Sequence, residues 1–148
     1  MNKQETLQKL REIVPRQYIK KLNKGGSSID YIAWFDIATL LDDRTDYWQW
    51  EITNLTTTDK RIFMVGKLTI FCDDGELMQS ATATEELNCS SYGDPSSNAE
   101  AMAMRRASAK FGLARYLWSK EEIHKSSNNN VTPIKNPNCK VIGKPKFG

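Results

Sequence analysis

One histidine, three cysteines and no long hydrophobic run in 148 residues exclude several classes of function at once. The single His124 stands close to a basic, asparagine-rich end, where a solvated surface histidine is the plainer reading than a catalytic base. Cys72, Cys89 and Cys139 are odd in number, widely spaced and without a C-x-x-C pair, which argues against both a disulfide framework and a zinc site. No apolar stretch approaches the ~20 residues needed to cross a bilayer. The chain also does not open on a charged-then-apolar signal peptide, so a cytosolic protein with no membrane partner is expected. Gly66-Lys67-Leu68-Thr69 has neither the upstream glycine nor the Ser or Thr directly after the lysine that a phosphate-binding loop requires. The acidic pairs Asp42-Asp43 and Asp73-Asp74 invite a metal-dependent nuclease reading, and each has a simpler place at a helix end or in a hairpin turn. No enzyme and no cofactor are expected.

What is present suits one domain with a sizeable core, since 39% of residues are apolar. The net charge of +3 hides an uneven distribution. Residues 1–27 carry seven basic and two acidic groups, 28–59 one and seven, 60–95 three and six, 96–125 six and three, and 126–148 four and none. A fold that joined the first basic region to the fourth would create a positive groove on a nearly balanced protein. Residues 1–124 are expected to fold, and 125–148 to form a disordered basic tail rich in Asn, Pro, Lys and Gly.

Leu7, Leu10 and Ile13 recur every three residues and predict an amphipathic helix from Lys3 to Val14, ended by Pro15. Lys20, Lys21 and Lys24 precede a flexible Gly25-Gly26 turn. A second helix is expected from Tyr31 to Leu41, capped by Ser28 or Asp30, with Ile32, Phe35, Leu40 and Leu41 buried. From Tyr47 the period becomes two. Trp48, Trp50 and Ile52 mark one strand, Ile62, Met64, Leu68 and Ile70 the inner face of another, and Asp73-Asp74-Gly75 a hairpin. A third strand follows from Leu77 to Leu87, with Ala81 and Ala83 small enough to admit a helix.

That helix is the stretch SNAEAMAMRRASAKFGLARYLW, Ser97 to Trp118. Ser97 and Glu100 form a capping box, with Asp94-Pro95 as an alternative start, and Gly112 permits the left-handed turn that ends it. Ala101, Met104, Ala107, Ser108 and Phe111 share one side, while Arg105, Arg106 and Lys110 spread over the other. Those cations and Arg115 either complement the helix dipole or make a phosphate-binding strip, with Tyr116 and Trp118 available to stack or pack beside it. The expected architecture is α+β, a three-stranded antiparallel meander covered by a long C-terminal helix, with helical and hairpin elements before it.

This combination resembles the Rad-fifty-two type of single-strand annealing proteins, and more closely its bacterial, DdrA-like branch. Residues 105–117 look like that branch's cationic helix ending in K-F-G-L-x-R-Y-L. Tyr18-Ile19, Lys21, Gly25-Gly26 and Tyr31-Ile32 match a eukaryotic segment of the family without gaps, and Tyr47 with Trp50 resembles the Y-x-x-W that opens its first long strand. The resemblance implies an oligomeric ring of identical subunits that holds single-stranded DNA by its phosphates, in a bacterial or phage protein of the cytoplasm and nucleoid. Single-strand-binding or strand-exchange proteins are its implied partners. Carried over by position, the DNA contacts fall on Lys21, Arg105 and Arg106. Lys110 lies one residue beyond a further family cation, and Lys20, Lys24 and Arg115 extend the basic strip. Asp73 replaces a family lysine, and Glu85 and Glu86 stand where others are basic, which departs from a second DNA path and brings protection of strands or ends forward beside annealing. Two other classes stay open: a double-stranded RNA-binding domain, which shares the α-β-β-β-α order, and a protein-interaction domain.

Overall fold

The computed structural model describes residues 1–88 and 93–119, apart from the side chain of Lys24. Cys89, His124, Cys139 and the expected tail lie outside the described residues. Helix α1 spans Lys3–Leu10 and opens on a reciprocal cap, in which the Glu5 amide donates to Asn2 Oδ1 at 2.8 Å and the Asn2 amide to Glu5 Oε2 at 3.0 Å. It stops four residues before Val14. The expected stripe therefore keeps Leu10 buried but does not extend to Ile13, which is 81% exposed, while Thr6 and Val14 are buried as well. Arg44, itself buried, donates to the carbonyls of Leu10, Glu12 and Ile13 at 3.4, 2.9 and 3.1 Å and so anchors the end of α1 and the chain that leaves it.

The next segment corrects the sequence expectation. Strands β1 (Ile19–Lys24) and β2 (Ser27–Ile32) form an antiparallel hairpin around Gly25-Gly26. Both glycines have positive φ, 59° and 81°, as a two-residue hairpin turn of the kind that follows strand twist demands. Tyr31 and Ile32 thus belong to a strand, and helix α2 runs later, over Trp34–Arg44, from Ala33 with no side-chain cap. Starting the helix there turns Ile37, Leu40 and Leu41 inward and leaves Phe35 half exposed.

Strands β3 (Tyr47–Thr57), β4 (Arg61–Cys72) and β5 (Gly75–Glu86) make the expected antiparallel meander in the order β3-β4-β5, with an irregularity between Ile52 and Asn54. Helix α3 (Pro95–Phe111) covers one face. Ile62, Met64, Leu68 and Ile70 of β4 and Ala81 and Ala83 of β5 are buried, as are Ala99, Ala103, Met104, Ala107 and Phe111 of the helix. Small residues on both sides permit the close approach. Trp50 reaches diagonally across the sheet to Gly66, where a Cβ would fall 2.1 Å from its ring. The glycine is the space that the indole occupies.

The helix start is also corrected. Asp94, not Ser97, is the cap: its carboxylate accepts from the Ser97 amide at 2.8 Å and from the hydroxyls of Ser96 and Ser97 at 2.6 and 2.8 Å. The Ser96 hydroxyl, the Ser97 amide and the Ser97 hydroxyl together hold the Asp94 carboxyl down at about 2. Glu100 is left for another task and accepts from Trp50 Nε1 at 3.0 Å.

Candidate nucleic-acid interface

The hairpin places its side chains by register. Lys20 lies directly across from Tyr31, so both point to the same face, and Lys21 lies across from Asp30 on the opposite face. Lys20 Nζ sits 4.4 Å from the centre of the Phe35 ring and 3.4 Å from Asp36 Oδ2. Arg105, from the middle of α3, holds its guanidinium 5.6 Å from the centre of Tyr31. Two cations far apart in sequence therefore meet on one surface of hairpin, α2 start and α3. Aromatic faces attract such cations electrostatically, and Asp36 adds an ion pair to Lys20.

Arg106 and Lys110 go elsewhere. One turn apart on α3, they donate to the backbone carbonyls of Thr82 and Ser80 on β5, and Arg106 also reaches Thr82 Oγ1 at 3.4 Å. β5 is an edge strand of the sheet, and these cations cover carbonyls that its missing neighbour would have paired. Arg115 donates to the carbonyls of Ala109 at 2.8 Å and Lys110 at 2.6 Å, a helix C-terminal role. Of the seven sequence-derived cations, Lys20 and Arg105 share one surface, Lys21 is exposed on the hairpin's other face, and Arg106 and Lys110 lie along β5. Arg115 closes α3, and the Lys24 side chain is not described.

The motif 110–117 has a structural meaning throughout. Phe111, Leu113 and Leu117 are buried. Gly112 adopts φ 108°, and a Cβ there would meet Arg11 Cγ at 2.5 Å. Ala114 follows with φ 56°, and Tyr116 Oη accepts from the Val14 amide at 3.3 Å. Tyr116 thus ties the end of α3 to the segment after α1. The acidic pairs also have local duties: Asp74 Oδ1 accepts from the Lys3 amide at 2.8 Å, and Asp42 Oδ1 from Trp48 Nε1 at 2.8 Å. Among the described residues no three His, Cys, Asp or Glu side chains gather as a metal site would need.

Sequence reasoning missed the rings that receive the cations. The dense aromatic run Tyr31-Ile32-Ala33-Trp34-Phe35 was the available signal, but only the hairpin register shows that Tyr31 shares a face with Lys20.

A two-stranded hairpin and a helix-covered meander thus meet at a cationic and aromatic surface. No family model matches the chain. It is 30% identical over 121 residues to the DNA repair RAD52-like protein 1, mitochondrial, of Arabidopsis thaliana, which covers 80% of this chain and 69% of that protein. It is 28% identical over 118 residues to the DNA repair RAD52-like protein 2, chloroplastic, of the same plant, covering 77% and 59%. The chain belongs to the RAD52-like family, which places it among proteins of DNA repair and recombination. Both relatives are organellar plant proteins, and this overturns the expectation of a bacterial or phage protein of the cytoplasm.

Proposed function

We propose that the chain is a non-catalytic single-stranded DNA-binding protein of repair and recombination, which holds the phosphate backbone and protects ends or anneals complementary strands. The observation that carries this reading is the meeting of Lys20 and Arg105 over aromatic rings on one surface, in a chain of the RAD52-like family. Phosphate binding ignores sequence, and base pairing itself drives annealing, so no ATP is needed. Lys21, exposed on the other hairpin face, extends the strip towards a neighbouring subunit in a homo-oligomeric ring. Arg106 and Lys110 join it by exchanging a carbonyl of β5 for a phosphate. Single-strand-binding or strand-exchange proteins are the partners this role calls for. Within the family, the motif 110–117 also likens the chain to the DdrA-like branch, a finer placement to which the plant relatives add nothing.

A double-stranded RNA-binding domain is the weaker reading. That module sets its cations at the start of the last helix, whereas α3 opens on Asp94-Pro95-Ser96-Ser97 and a hairpin and α2 stand between α1 and the meander.

The test is fluorescence anisotropy of a labelled single-stranded oligonucleotide across a salt series, with its duplex as competitor. Binding should prefer the single strand, and log K should fall with log salt by about 0.7 per phosphate contacted. Duplex preference, or affinity indifferent to salt, would count against the proposal.

A further inference from the structure

β3 turns two tryptophans, Trp48 and Trp50, towards α3, while α2 begins on a third, Trp34. With Glu100, Ala101 and Met104 of α3 these indoles line an open cleft of about 230 Å³. Two of its walls are fixed. Trp48 Nε1 donates to Asp42 and Trp50 Nε1 to Glu100, and the Trp50 ring fills the space above Gly66. The third wall differs, since Trp34 is 53% exposed at the cleft mouth.

Three indoles contribute to this lining, and one carboxylate supplies its charge. Glu100 has given one oxygen to Trp50 and has a second to offer. An unpaired nucleobase has the matching chemistry: its faces stack on aromatic rings, and the exocyclic amine of cytosine or adenine donates to a carboxylate. A phosphate or an acidic side chain does not match, because Glu100 repels it. The volume is below the ~300–1,000 Å³ of ordinary small-molecule pockets, which suits one planar ring system rather than a whole nucleotide. The cleft also adjoins the cationic surface. Trp34 meets Phe35 edge-on with ring centres 6.0 Å apart, and Lys20 sits over Phe35.

We propose that this cleft takes one unpaired base of a bound single strand, stacked on tryptophan, with Glu100 favouring bases that carry an exocyclic amine. The proposal rests on the single-strand reading above and adds a base preference to a backbone-binding protein.

The experiment measures binding of the full chain to three strands of equal length, oligodeoxycytidylate, oligodeoxythymidylate and an abasic deoxyribose-phosphate strand, by anisotropy and tryptophan fluorescence. The cytidylate strand should bind tightest and the abasic strand weakest, with tryptophan quenching by the base-bearing strands alone. Trp34→Ala should weaken base-bearing strands roughly tenfold, the scale of one base–aromatic stack, and leave the abasic strand unchanged. Glu100→Gln keeps an acceptor for Trp50 Nε1, and should reduce the preference for cytidylate over thymidylate. Equal affinity for base-bearing and abasic strands overturns the cleft and leaves backbone binding standing. Binding of no strand overturns both. A Trp34→Ala loss shared by the abasic strand, or accompanied by a changed oligomer size, assigns the cleft to subunit packing and overturns the proposal.

Discussion

Arg105 and Arg106 are neighbours in sequence and live in different surroundings. Arg105 lies over Tyr31 beside the hairpin, while Arg106, with Lys110 one turn on, lies against the carbonyls of β5. Adjacent helix positions point about 100° apart, so a basic run along α3 necessarily serves two faces. On the hairpin side Lys20 and Arg105 lie over the Phe35 and Tyr31 rings, and Lys20 also pairs with Asp36. On the β5 side the donors are engaged by backbone oxygen, and a phosphate has to displace it. Neighbouring charges on a helix are therefore not interchangeable.

The largest effect should come from the hairpin side. Lys20→Ala with Arg105→Ala is expected to lower single-strand affinity more than tenfold and to flatten the salt slope by about 1.4, two contacts at about 0.7 each, with the circular dichroism unchanged. If the slope does not move, the surface is not the phosphate path.

Gly66→Ala tests the layer beneath that surface. The added methyl group would fall within 2.1 Å of the Trp50 ring, and overpacking of this kind costs about 1–3 kcal/mol. Urea unfolding should show the loss. An unchanged midpoint would mean that Trp50 has another place to go.

On the β5 side, Arg106→Ala with Lys110→Ala should change single-strand affinity less than the hairpin pair does. Removing both uncovers edge carbonyls, so the clearer readout is self-association by sedimentation. A larger affinity loss than the hairpin pair would reverse the comparison and make the β5 edge the main path.

The smallest effect concerns the start of α3. Asp94 has its folded pKa lowered from 3.8 to about 2. Its contribution to stability is therefore complete above about 4 and is lost as pH falls towards about 2. Asp94→Asn should abolish that part of the acid dependence of unfolding while retaining a capping oxygen. A variant with the same acid profile as the parent would show that the cap does not titrate in this range.

The meander and α3 were legible because their signals are local. Alternation at Trp48, Trp50, Ile62, Met64, Leu68 and Ile70, the Asp-Asp-Gly turn and the small residues of β5 and α3 each need only near neighbours in the chain. The hairpin was legible only in part: a Gly25-Gly26 turn and a hairpin element before the meander were expected, but Tyr31 and Ile32 were given to a helix, because Ile19–Lys24 and Ser27–Ile32 are short and carry no continuous apolar face. The cap of α3 was ambiguous for a related reason, since Asp94 and Ser97 both qualify and the choice turns on where the helix begins. The family motif also carries structure, because Phe111, Gly112, Arg115 and Tyr116 end the helix and join α3 to the N-terminal region.

By itself the sequence determined the number and order of strands in the main sheet, the helix that covers them, the stop at Gly112 and an excess of cations near α3. These follow from propensity, periodicity and backbone sterics, which act over a few residues. Tertiary structure alone decided which cations share a surface, that Tyr31 and Phe35 receive two of them, that Arg106 and Lys110 cover the β5 edge, and that three tryptophans from two elements face one helix. Those outcomes depend on strand register and helix phase between distant segments, and one residue of slip in either would place a different set of side chains together.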